Sequence, residues 1–243
     1  MTDTEPDVGD DAELHYEPLQ GFDVVKEYGD LVALEKLTFE LTAGELVALI
    51  GANGAGKSTL MRLAAGLLEP TRGEVLVDGY LAGSIEARER LSYISDQPVL
   101  YNDLSLNEHI EYTARLHDLR ERPPLADELL VTFNLAGRAD DLPSQFSRGL
   151  RQKTMLLLGL IRPFQVLLVD EPFIGLDPDG QSALTDLLVG AAEAGAAVLV
   201  ATHQLAFLEH ATRCMALRDG ALAYSGPVDL DVIGPILRDS MHG

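Results

Sequence analysis

Gly51-Ala52-Asn53-Gly54-Ala55-Gly56-Lys57-Ser58-Thr59 is the stretch from which the rest of the chain can be read. It follows a short apolar segment at 46–50 and opens a segment with helical spacing that runs from 57 to about 67. Strand, glycine-rich turn and helix in that order are the context a phosphate-binding loop requires. Glycines let consecutive backbone N–H groups turn inward around a phosphate, and the helix behind them presents its positive N-terminus. Lys57 supplies a charge for β- and γ-phosphates, and the Ser58 hydroxyl can ligate Mg2+.

A second element stands downstream, Val166-Leu167-Leu168-Val169-Asp170-Glu171-Pro172. A buried apolar strand there delivers two carboxylates to its C-terminal tip, where ligands of parallel sheets collect. Asp170 is placed to hold Mg2+ through water, and Glu171 to act as general base on an attacking water. A strand ending in two acids is commonplace alone; beside a phosphate loop it completes a site.

The segments around these motifs divide by periodicity. Residues 22–25 and 31–41 alternate as antiparallel strands do, and 74–77 and 91–95 read as further strands. From 104 to 161 the spacing is helical, with Pro123, Pro143 and Pro163 as punctuation. Strand character returns at 166–169 and 197–201, separated by a helix near 181–194, and two weaker strands follow at 214–217 and 221–224. Alternating strands and helices imply a parallel sheet with helices packed on it. The reading is therefore an acidic, disordered tail at 1–21, then one α/β domain at 22–243 with a helical part at about 98–162.

Composition excludes several classes. With 39 acidic against 18 basic residues the net charge is -21, which repels phosphate backbones and disfavours nucleic acid as a partner. No apolar run approaches the roughly 18–20 residues of a membrane helix, and the acidic start is not a signal peptide. Cys214 is the only cysteine, which rules out an internal disulfide and suits a reducing compartment.

Between the two motifs lies Phe146-Ser147-Arg148-Gly149-Leu150-Arg151-Gln152-Lys153, which resembles the signature of ATP-binding-cassette (ABC) proteins, usually written LSGGQ. The resemblance extends from about residue 22 to 226 and takes in Gln97 at the Q-loop, Gly175-Leu176-Asp177 at the D-loop and His203 at the switch histidine. Tyr28 matches the aromatic residue that stacks on adenine, and a packing role is the other reading of it. Asp177 could also simply cap the helix after Pro178, since Asp is a favoured cap. Arg148 and Leu150 depart from the signature, whereas Ser147 and Gly149 keep its hydroxyl and its small backbone position. That form looks like the exporter branch with ABC-2-type membrane subunits.

The resemblance implies a P-loop fold with a RecA-like parallel core, an antiparallel β subdomain and a helical signature subdomain. It implies ATP and Mg2+ as ligands, with Ser58, Asp170 and Gln97 at the metal and Glu171, His203 and Gln97 in catalysis. Tyr28, the whole loop from Gly51 to Thr59, Ser147, Gly149 and Asp177 would contact nucleotide. Two cassettes would pair head to tail, a homodimer in the simplest case, on a polytopic membrane (permease) subunit at the inner, cytoplasmic face of the cell membrane. A soluble ABC ATPase acting as an assembly or regulatory factor is the alternative.

Overall fold

The computed structural model describes residues 16–239. Fully buried apolar runs set the architecture. The strands β3 (Leu46–Gly51), β7 (Val166–Asp170) and β8 (Ala197–Ala201) are buried at every position, as parallel strands covered on both faces must be. With β6 (Leu91–Ile94), β9 (Arg213–Arg218) and β10 (Ala221–Gly226) they form a six-stranded sheet in the order β10-β9-β3-β8-β7-β6. All neighbours are parallel except β10, which runs antiparallel to β9.

Because side chains of a strand alternate between faces, each of these strands feeds two cores. Leu46, Ala48 and Ile50 face one, and Val47 and Leu49 the other. The first core is covered by α3 (Leu106–Leu116), α4 (Pro124–Thr132), α5 (Arg148–Leu160), α6 (Pro178–Glu193) and α7 (Leu230–Asp239). The second lies under α1 (Lys57–Ala64) and an antiparallel sheet. That sheet runs β2-β1-β4-β5, built from β1 (Leu19–Tyr28), β2 (Leu31–Leu41), β4 (Arg72–Val77) and β5 (Tyr80–Leu81). A short helix, α2 (Ile85–Arg90), leads into β6. Parallel core, antiparallel subdomain and helical signature region are therefore all present.

Several boundaries move, each for a local reason. Of the tail expected at 1–21, residues 1–15 lie outside the described part. β1 already starts at Leu19, which is fully buried and pairs with Leu41 and Val77. The helix after the phosphate loop stops at Ala64 rather than near 67, because Gly66 takes a left-handed turn (φ 66°). α6 begins at Pro178, earlier than the expected 181, with Asp177 as its cap. α3 starts later than the periodicity suggests, at a capping box in which Ser105 Oγ accepts from Glu108 N and Glu108 Oε2 accepts from Ser105 N. Cys214 is fully buried on β9. Among the described residues no helix is long and apolar enough to cross a membrane.

The two-core arrangement makes the central strands the most sensitive part of the fold. Leu199→Ala, at a fully buried position of β8, is expected to lower the unfolding free energy by about 2–5 kcal/mol. Leu116→Ala, where the side chain is exposed, should stay within about 0.5 kcal/mol. Urea unfolding followed by circular dichroism separates the two.

Candidate functional site

Parallel register brings the motif residues to one edge of the large sheet. β3 pairs with β8 through Leu49 and Ala201, and β8 pairs with β7 through Ala201 and Asp170. Gly51, Asp170-Glu171 and Thr202-His203 therefore leave the sheet side by side, at the C-terminal ends of its strands.

The loop from Gly51 to Gly56 needs its glycines for space. A Cβ on Gly51 would stand 2.5 Å from Leu217 O of β9. At Gly56, the N-cap of α1, φ is 104° and a Cβ would meet Leu34 Cδ2 at 2.6 Å and Ala33 O at 2.9 Å. No side chain caps α1 and no acid occupies its first turn, so its N-terminal amides and dipole are free to receive an anion. Lys57 is buried, and its Nζ donates to Gly51 O at 2.8 Å and to Ala52 O at 3.3 Å, 3.9 Å from Glu171 Oε1. Ala52, Asn53, Gly54, Gly56, Lys57, Ser58 and Thr59 line a cleft of about 450 Å3. Tyr28, Leu31, Val32 and Ala33 form its far wall, and Glu171 and Asp96 complete it. Gly51 and Ala55 lie behind this lining and support the turn, Ala55 N donating to Ala52 O. Tyr28 is half-exposed, with Lys26 Nζ 5.1 Å over its ring.

Behind the loop, Asp170 is fully buried and neither carboxylate oxygen has a hydrogen-bond partner. Burial pushes its carboxyl pKa up; the Ser58 hydroxyl, whose contact with it falls short of a well-formed hydrogen bond, opposes the rise, the charges of Asp96 and Glu171 add to it, and Lys57 opposes it. Uncompensated buried carboxylate oxygens are costly, and a hard divalent cation with its waters is the kind of partner they fit. Glu171 is held in a left-handed backbone conformation (φ 47°), with its N–H donating to Ala201 O at 2.8 Å. Its Oε2 accepts from His203 Nδ1 at 2.8 Å. Since a carboxylate only accepts, that contact places a proton on Nδ1.

The remaining expected site residues are elsewhere. Gln97 is exposed and does not line the cleft; the structure places its neighbour Asp96 in the wall, with Oδ1 buried and unpartnered. The turn leaving β6 sends adjacent side chains to different sides, and it is Asp96 that faces inward. Ser147 caps α5, its Oγ accepting from Leu150 N at 3.3 Å. Gly149 is pressed against the D-loop, where a Cβ would lie 2.6 Å from Gly175 O. Asp177 caps α6 by accepting from Gly180 N at 2.8 Å, and it also accepts from Lys153 Nζ at 3.1 Å. The Gly180 amide, followed by Lys153, holds the Asp177 carboxyl below its usual range. Ser147, Gly149 and Asp177 thus gather in a second cluster that contributes nothing to the cleft lining. Lys153 and Asp96 were missed in the sequence. Lys153 had a signal, standing one helical turn after Gly149 and hence on its face.

Comparison with known proteins agrees with this geometry. The ABC transporter family profile matches residues 34–174. The SkfA peptide export ATP-binding protein SkfE of Bacillus subtilis is 36% identical over 195 residues, covering 78% of this chain and 80% of its own length. A solved ATP-binding subunit of an ABC transporter is 34% identical with a TM-score of 0.82, over 92% of this chain and 95% of that one. A dimeric ATP-binding cassette, in a post-hydrolysis state with ADP and Pi, is 25% identical with a TM-score of 0.79, over 87% of this chain and 99% of its own. The chain belongs to the ABC transporter family, as an ATP-hydrolysing nucleotide-binding subunit.

Proposed function

We propose that the chain powers export through a separate polytopic membrane subunit, by ATP-dependent head-to-tail pairing with a second copy of itself. One observation carries this reading. The phosphate-loop cleft and the cluster of Ser147, Gly149 and Asp177 are two half-sites on one chain, and within that chain they do not meet. Placing the signature cluster of one copy over the cleft of another completes the site twice. The γ-phosphate then bridges the pair, so ATP favours the closed dimer and hydrolysis removes the bridge. The dimeric cassette with ADP and Pi supports this geometry, and the peptide export name of SkfE supports the direction. The working location is the cytoplasmic face of the cell membrane.

In the cleft, the loop amides and Lys57 hold the β- and γ-phosphates, and the half-exposed Tyr28 ring offers a face for adenine stacking. Ser58 and Asp170 would hold Mg2+, together with phosphate oxygens, as that ion prefers; when bound it supplies charge neutralisation at the phosphates. Glu171 accepts a proton from water as that water attacks the γ-phosphorus. The bond to the β–γ bridging oxygen breaks, and ADP and phosphate leave. His203 donates to Glu171 Oε2 at 2.8 Å and so orients the base.

Three outcomes are expected. Glu171→Gln binds ATP but releases phosphate at least about 10²-fold more slowly; unchanged turnover would remove the general base. Gly149→Ala places a Cβ 2.6 Å from Gly175 O of the same chain, so the start of the signature helix and the D-loop must move apart, at a cost of about 1–3 kcal/mol in packing. It should therefore weaken ATP-dependent dimerisation in analytical ultracentrifugation while each monomer still binds nucleotide. Tagged Glu171→Gln, purified with MgATP from detergent-solubilised native membranes, should carry a polytopic membrane protein in stoichiometric amount by mass spectrometry. Recovery with soluble proteins only would replace transport by the soluble-factor reading.

A further inference from the structure

Tyr28 forms part of the far wall of the cleft, at the end of β1 and half-exposed, before Gly29 with its left-handed turn (φ 60°). An exposed ring at a strand end has more than one rotamer open to it, so a neighbour must decide which face it shows to the cleft. Lys26 stands two positions back and shares its side of the strand. Its Nζ lies 5.1 Å over the Tyr28 ring. Lys26 does not line the cleft, so the ammonium approaches the ring from outside. That ammonium is not a free surface charge, for it donates to Glu69 O at 2.8 Å, in the segment that follows α1. The same segment binds both neighbours of Lys26. Thr71 N donates to Val25 O at 2.7 Å, and Glu27 N donates to Thr71 Oγ1 at 3.0 Å. The Arg72 guanidinium closes the row on the Glu27 carboxylate at 3.0 Å. Three consecutive residues of β1 are thus strapped to residues 69–72, and the strap sets the cation against the ring. In a chain with 39 acidic residues, this ammonium meets a carbonyl and an aromatic face; among the described residues it forms no ion pair.

We infer that Lys26 is a positioning residue for the nucleotide base: its ammonium, on the outer face of Tyr28, holds the ring with its inner face toward the cleft. A cation over one face of an aromatic ring favours the ring position that keeps it there. Adenine then meets a ring already in place, and a site fixed in its bound form has less entropy to lose on binding. The effect is selective. Lys26 strengthens ligands that carry a base, because the phosphates are held at the opposite side of the cleft by the loop and Lys57. The inference rests on the stacking role proposed above for Tyr28, and its test separates the two.

The experiment is isothermal titration calorimetry of the full chain, in Mg2+, with a non-hydrolysable ATP analogue and with inorganic tripolyphosphate, which has the phosphates but no base. The wild type is expected to prefer the nucleotide at least about fivefold. Lys26→Met, which keeps the length and removes the charge, should cut that preference about two- to fivefold by weakening the nucleotide alone. Lys26→Arg keeps a cation that can stack on the ring and donate to Glu69 O, and should hold the wild-type preference. In a Tyr28→Ala background, Lys26→Met should change nothing further, because the ring through which it acts is gone. A preference in Lys26→Met indistinguishable from wild type would overturn the role of Lys26. So would an equal loss in Lys26→Arg, an equal weakening of tripolyphosphate, or a further loss in the Tyr28→Ala background. Full wild-type preference in Tyr28→Ala alone would overturn the stacking role of Tyr28, and failure of the wild type to bind either ligand would overturn the nucleotide site itself.

Discussion

Parallel pairing of β3, β8 and β7 is the constraint from which the site follows. Three strands buried on both faces cannot slip by one residue without turning a whole set of apolar side chains from one core into the other. Leu46, Ala48 and Ile50 on one side and Val47 and Leu49 on the other lock β3 in that way. The same lock on β7 puts Asp170 opposite Ala201 and leaves Glu171 as the first residue past the sheet. The chemistry at the edge is thus positioned by packing in the middle. Loops alone, with their greater freedom, would not hold a base beside a phosphate loop.

The second organising feature is charge placed against the grain of the fold. The chain is strongly acidic overall, at -21, and places three of its carboxylates around an anion-binding loop. Asp170 is the extreme member, with no exposure and no hydrogen bond. Buried carboxylate oxygens without partners are costly, and departures of this kind cluster at functional sites. The helical cluster shows the opposite economy. Asp177 is satisfied twice, by Gly180 N and Lys153 Nζ, so signature helix and D-loop are joined by an ion pair and by the contact of Gly149 with Gly175 O. One region keeps carboxylate oxygens without hydrogen bonds, and the other satisfies its carboxylate within the chain.

Much of this was legible in the residues. The phosphate loop, the apolar strand before Asp170 and the helices of the middle region all announce themselves through periodicity or spacing. What escaped depends on long-range or short-range facts that a pattern does not contain. Leu19 looks like part of an acidic tail until Leu41 and Val77 are seen beside it. β5 has two residues, too few for any period, and α7 carries Pro235 inside it, which argues against a helix locally. Asp96 and Gln97 are adjacent and polar, and only the turn after β6 decides which faces inward. Asp177 is the converse case, since a carboxylate before Pro178 had both of its meanings written in the sequence, and the cap is the one the structure displays.

Cys214 is the second residue of β9 and has no exposure. Burial pushes its thiol up to about 11, with Arg213 opposing part of the rise. The thiolate is the reactive form of cysteine, so at neutral pH this one stays protonated, walled off and inert toward alkylating reagents. A cysteine introduced at any exposed position would then be the single thiol that a maleimide dye or spin label could reach. The chain comes ready for site-directed distance measurement, with no native residue to remove first.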